Sequence, residues 1–79
     1  MGAKIDRTPV QSSNIKSVGY DFGTEVLQVE FKNGGVFNYH DVSISAYTAM
    51  MEADSIGSHF HSNIKNGYVC RKVDEKDNE

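Results

Sequence analysis

The stretch "EVLQVEFK" constrains this fold more than any other part of the chain. Leu27, Val29 and Phe31 alternate with Gln28, Glu30 and Lys32. Successive strand side chains point to opposite faces, so this is a strand with one apolar and one polar face. "NGG" follows at 33–35, the composition of a tight hairpin turn, and "VFNYHDV" reads as the returning strand. Upstream, "SSNIKSVGYD" sets Ile15, Val18 and Tyr20 in a β-prone context with broken alternation. It ends in "DFGT", where the aspartate opens a turn and Gly23 accepts positive φ. Three strands joined by short turns predict an antiparallel meander.

The period changes after Val42. In "SISAYTAMMEAD", Ile44, Tyr47, Met50 and Met51 recur at helical spacing, with Asp41 or Ser43 available as a cap. "DSIGSHFHSNIKNG" predicts a second helix, capped by Asp54 or Ser55, with Ile56, Phe60 and Ile64 on one side and Gly67 as its stop. Tyr68 and Val69 are expected to fold back on the core. The expected class is α+β: a three-stranded antiparallel β-meander followed by two short α-helices packed on the face holding Leu27, Val29 and Phe31. Residues 1–11 read as a flexible lead-in, 12–73 as one domain, and the charged "DEKDNE" at 74–79 as a disordered acidic tail.

Phe37 and Tyr39 lie two apart and must share a face. A two-residue Asn33-Gly34 turn would pair Glu30 with Phe37 and Gln28 with Tyr39, leaving both rings outside. A three-residue loop, with Gly35 left-handed, would pair Phe31 with Phe37 and Val29 with Tyr39, bringing both rings into the core. Dipeptide preference favours the first. The polar Asn38 and His40 between and after the rings favour the second, which is the expectation adopted here.

Seventy-nine residues allow one small domain with a thin core. No apolar run approaches the ~20 residues of a membrane-spanning helix, and the first ten residues lack a secretory h-region. The chain begins Met-Gly, but Asp6 stands where a myristoylation motif wants Ser or Thr. A single cysteine, Cys70, excludes an internal disulfide and agrees with a reducing, cytoplasmic setting. The net charge is −3, and without the tail the two signs balance at seven each, so there is no general basic excess of the nucleic-acid-binding kind.

Catalytic motifs are weak. His59 and His61 are two apart on an expected helix and face away from each other, and with His40 and Cys70 they form no closed metal-ligand spacing. Cys70 lacks a placed base and orienting group, and the "SSN" hydroxyls suit backbone capping better than nucleophilic attack. The paired glycines lie between strands rather than before a helix, which removes a phosphate loop. Gly57, inside a helix, costs ~1 kcal/mol against alanine and so points to close packing. No metal, cofactor or catalytic residue is expected. Lys16, Lys65, Arg71 and Lys72 are candidates for one basic edge, although scattered lysines are usually plain solvated surface.

Taken together, "SSNIKSVGYD", "LQVEFKNGGVFNY", "AYTAMMEADSIGSHF" and "IKNGY" make this chain resemble the KTSC family, from about Ser12 to Tyr68. The family is named for a domain at the C-terminus of some lysyl-tRNA synthetases and also occurs as stand-alone bacterial and phage proteins. Phe37-Asn38-Tyr39 matches its aromatic-x-aromatic motif, usually Tyr-x-Tyr. Phe37 replaces the first tyrosine and lacks its hydroxyl, Ser43 replaces a common proline, and His61 replaces a usual asparagine. The resemblance implies a small non-enzymatic binding module, with RNA as the suggested ligand by analogy with the synthetase context. In that reading Lys16, Lys65, Arg71 and Lys72 hold phosphates and an exposed Tyr39 stacks on a base. The alternative is a protein-interaction module, such as a phage or mobile-element accessory protein, acting through a free sheet edge or as a homodimer.

Overall fold

The computed structural model describes residues 5–73. The acidic tail and the first four residues of the lead-in lie outside the described residues. The elements in chain order are β1 (Thr8–Pro9), β2 (Ile15–Asp21), β3 (Val26–Phe31), β4 (Val36–Tyr39), α1 (Ile44–Met51), α2 (Ile56–His59) and β5 (Cys70–Lys72). A π-helical turn, Phe60–Ile64, continues α2 without a break. The class is α+β with an antiparallel sheet and two helices, as expected, but the sheet has five strands in the order β1-β2-β3-β4-β5. The expected meander is its centre. β1 comes from the supposed lead-in and β5 from the stretch after the helices, and each pairs on an outer side.

A β-bulge explains the broken alternation of β2. Ile15 pairs with Phe31 but Ser17 pairs with Glu30, so Lys16 is the extra residue. Ile15 and Val18 therefore both reach the core although they are three apart. They meet Leu27, Val29, Tyr39, Val42, Met50, Phe60 and Ile64 in one cluster between the sheet and the helices. Each fully buried aliphatic side chain contributes roughly 1.5–3 kcal/mol of transfer free energy.

The β3–β4 hairpin settles the direction of Phe37 and Tyr39. Leu27 pairs with Tyr39 and Val29 with Phe37, so both rings join the core face, as expected. The loop differs from expectation by one position. It is Lys32-Asn33-Gly34: the Gly34 N–H donates to the Phe31 carbonyl at 2.9 Å, and the Phe31 N–H to the Gly35 carbonyl at 2.8 Å. Gly34, not Gly35, takes positive φ, at 102°. The expected and observed pairings differ by two residues, and an even shift preserves the face. Gly35 belongs to the strand side, where an added Cβ would lie 3.2 Å from the Phe37 ring.

Ser43 and Ser55 are the helix caps. Their hydroxyls accept from the Ala46 and Ser58 N–H groups, each at 3.2 Å. The second helix departs from expectation after one turn. The Lys65 N–H donates to the Phe60 carbonyl, five residues back, at 2.9 Å. Phe60 and Ile64 remain buried within this wider turn.

The sheet's second face is not simply solvated. Residues 5–7 cross it above Gly19. Arg7 donates to the Gln28 side-chain Oε1 and lies 3.7 Å from the Glu30 carboxylate. Gln28 in turn donates to Asn38 at 2.9 Å, and Ser17 to Glu30 at 2.8 Å. Ser17 and Gln28 are buried beneath this strap, with their polar atoms satisfied.

Candidate functional site

An open groove of about 820 Å³ lies where the loop end of the β3–β4 hairpin faces the π-helical turn. Phe31, Phe37, Tyr39 and Phe60 form its apolar lining. Their rings meet edge to face: Phe31 and Phe37 at 5.8 Å, Phe31 and Phe60 at 5.6 Å, Tyr39 and Phe60 at 5.2 Å. Such pairs fix ring orientation as well as burying area. Phe31 and Phe37 are half-buried and present their accessible surface to the groove, whereas Tyr39 and Phe60 are buried at its base.

Polar and cationic groups rim these rings. Lys32 and Asn33 come from the hairpin loop, Ser13 and Asn14 from the approach to β2, and His61, Lys65 and Asn66 from the π turn and its end. The π geometry matters for Lys65. Its i→i+5 bond seats it one wide turn beyond Phe60, on the groove side of the segment. Lys72 pairs with Phe37 across β4 and β5 and so shares the groove face. Among the described residues, neither aspartate nor glutamate lines the groove. A wall of rings with lysines and no carboxylate can hold a ligand that is both flat and anionic.

The five expected binding residues divide. Tyr39 and Lys65 line the groove and Lys72 shares its face. Arg71 pairs with Asn38 and belongs to the opposite face. Lys16, on the β2 bulge, lines a separate hollow of about 330 Å³ with Ile5, Asp6, Arg7 and Glu30. The stacking role that the RNA reading gave to an exposed Tyr39 is corrected: its side chain is buried, in line with the inward register expected, and Phe37 and Phe31 are the accessible rings of the groove. Burial, and then the Cys70 thiol beside it, push the Tyr39 hydroxyl up to about 12. The group therefore stays protonated at neutral pH. Sequence reasoning missed Lys32, Phe31, Phe60 and His61 as groove residues. Lys32 carried a signal, since it ends the β3 alternation beside the turn.

His40 lies on the face opposite Tyr39 by strand parity, apart from Cys70 on the groove side. Its Nε2 is buried with no hydrogen-bond partner among the described residues. Among the described residues, no group of three or more His, Cys, Asp or Glu side chains is placed to hold a metal ion. No helix among them is long and apolar enough to cross a membrane.

Comparison with known proteins agrees with this architecture. Residues 11–68 match the KTSC domain. The chain is 41% identical over 61 residues to an uncharacterised protein of Stutzerimonas stutzeri, covering 77% of this chain and 86% of the relative. It is 30% identical over 57 residues to a protein of Tsukamurella paurometabola, covering 72% and 85% respectively. The crystal structure of a KTSC domain protein from Yersinia pestis superposes with a TM-score of 0.86 at 37% identity, covering 90% of this chain and all of the other. On the family match, the relatives and the shared fold, the chain belongs to the KTSC domain family.

Proposed function

We propose that the protein is a cytoplasmic binding module that takes single-stranded RNA, without catalysis, in the groove between the β3–β4 hairpin and the π turn. The observation that carries this reading is the lining itself: accessible Phe31 and Phe37 rings beside Lys32 and Lys65, with no carboxylate among the described lining residues. Unstacked bases find aromatic faces in such a groove and phosphates find the lysines. The hollow is large enough for about one nucleotide-sized group, so affinity per site is modest and salt-sensitive.

Titration of the labelled protein with tRNA and with short oligouridine, at 50 and 200 mM salt, tests the proposal. If three lysines neutralise phosphates on a single strand, affinity falls about 18-fold over that fourfold rise in salt. Absence of salt-sensitive binding at tens of micromolar protein rejects it.

A second reading, strand addition by a protein partner, has one observation in its favour. β5 is an outer strand, and Cys70, Arg71 and Lys72 are all exposed. In an antiparallel homodimer the cationic Arg71 and Lys72 of one copy would lie close to those of the other, so an acidic partner strand fits better than self-association. Light scattering that finds a monomer, with no complex formed by an acidic extended peptide, removes this reading.

A further inference from the structure

The far end of β3 carries a feature that the groove does not use. Phe22, in the turn between β2 and β3, is 64% exposed, yet it is held in place. Its ring stands at 87° to Tyr20 with centroids 4.9 Å apart, and at 89° to Tyr47 at 6.2 Å. Tyr20 and Tyr47 themselves stack at 4.5 Å and 7°. The Tyr20 hydroxyl donates to the Val42 carbonyl, tying β2 to the start of the helical half. Beneath Phe22, the Asp21 carboxylate accepts from the Gly23 and Thr24 N–H groups at 2.9 and 3.4 Å. Phe22 is thus one part of a fixed, contiguous patch with the half-buried Tyr20 and Tyr47, and such a patch marks an interaction site where a lone exposed ring would not. Ile44, 52% exposed, lies one helical turn before Tyr47 and extends the apolar surface on α1.

Charge narrows the occupant. From residue 17 through 64 the only lysine or arginine is Lys32, which sits in the hairpin loop at the opposite end of β3. Asp21 and Glu25 flank Phe22, and Asp41 immediately precedes Val42. Around the two aromatic clusters the charge is therefore split, with Lys32 and Lys65 at the groove and Asp21, Glu25 and Asp41 at the Phe22 end.

We propose that the Tyr20–Phe22–Tyr47 cluster, with Ile44, docks a partner protein through a segment carrying arginine next to an aliphatic residue. The planar guanidinium lies against the Phe22 ring and forks to Asp21 or Glu25, while the aliphatic neighbour covers Ile44. The same carboxylates repel phosphate, so this end is not a second RNA site.

The test is amide NMR on the ¹⁵N-labelled full chain, titrated with acetyl-Arg-Leu-Arg-Leu-Arg-amide. The comparators are the matching Glu-Leu peptide and oligouridine. Saturable shifts confined to 20–25 and 44–47, produced by the arginine peptide alone, are expected. Phe22→Ala and Phe22→Leu should each weaken that binding at least fivefold while amides elsewhere stay in place, and Glu25→Gln should weaken it about threefold. No saturable shift, an equal response to the glutamate peptide, a response of these residues to oligouridine, or undiminished binding by Phe22→Ala would each overturn the proposal.

Discussion

The carbonyl oxygen of Asp6 lies 2.4 Å from where an alanine methyl at Gly19 would stand. No Cβ fits at that distance from backbone, so Gly19 is the slot through which the N-terminal strap crosses the sheet. Gly19→Ala should cost about 1–3 kcal/mol and lower the melting temperature by roughly 5–20 °C. In a chain beginning at Thr8, where the strap is missing, the same substitution should cost under about 0.5 kcal/mol. Thermal and urea unfolding of the four variants measures that coupling.

Tyr39 links the core to alkaline pH. An unfolded tyrosine titrates near 10. Burial, and then Cys70, push Tyr39 up to about 12 in the fold. The fold favours the neutral hydroxyl, so this stabilisation is complete below about pH 10 and is lost as pH rises towards about 12. Tyr20 shifts in the same direction, through burial and then the carboxylates of Glu25 and Asp21. Tyr39→Phe keeps the ring against Phe60 and removes the titrating group. Its urea midpoint should fall less steeply than the parent's between pH 10 and 12, with a remainder from Tyr20; superimposable profiles would show that Tyr39 carries none of the linkage.

Charge reversal separates the groove from the other basic residues. Lys32→Glu with Lys65→Glu should weaken RNA binding at least tenfold and flatten the log–log salt dependence by about 0.7 for each lost phosphate contact. Lys16→Glu and Arg71→Glu, which lie off the groove, should each change affinity less than threefold. Equal losses from all four positions in fluorescence titrations would mean diffuse attraction rather than a groove.

Gly57 sets two effects of similar size against each other. Alanine in a helix gains ~1 kcal/mol over glycine. Here its methyl would come within 2.7 Å of the Ser12 hydroxyl, which accepts from the Asn14 and Ile15 N–H groups at 3.3 Å. Gly57→Ala alone should therefore be nearly neutral. In a Ser12→Ala background it should stabilise by about 0.5–1 kcal/mol, readable from urea midpoints.

Local periodicity carried the centre of this fold and missed its margins. Leu27, Val29 and Phe31 announced β3 because a half-buried strand writes its burial into alternate positions. Thr8–Pro9 and Cys70–Lys72 are short, exposed edge strands, held by pairing with β2 and β4, so no face of theirs needed an apolar residue. The bulge at Lys16 broke the alternation of β2 by moving its pattern one step out of phase, so the strand was legible but its register was not. The π turn left no trace, since Ile56, Phe60 and Ile64 suit an ordinary helix. The groove was half legible. Its rings follow from the strand pattern, but the meeting of Lys32 with Lys65 depends on how the hairpin loop faces the end of the second helix, a long-range relation that spacing does not encode.

The wide turn at Phe60–Ile64 also bears on how this segment tolerates insertions and deletions. Along an ordinary α-helix, one residue more or less rotates all that follows by about 100° about the axis; the wide turn differs, because it already holds one residue more than an α turn needs. Losing one exposed residue, Ser62 for instance, would let the ladder close in ordinary α form, with Phe60 still anchored in the core. The Lys65 N–H would still reach the Phe60 carbonyl, now as an ordinary α-helical bond, and the lysine would keep its place beside the rings. A single-codon deletion in this turn can therefore be absorbed without moving the groove's charge or rebuilding the domain.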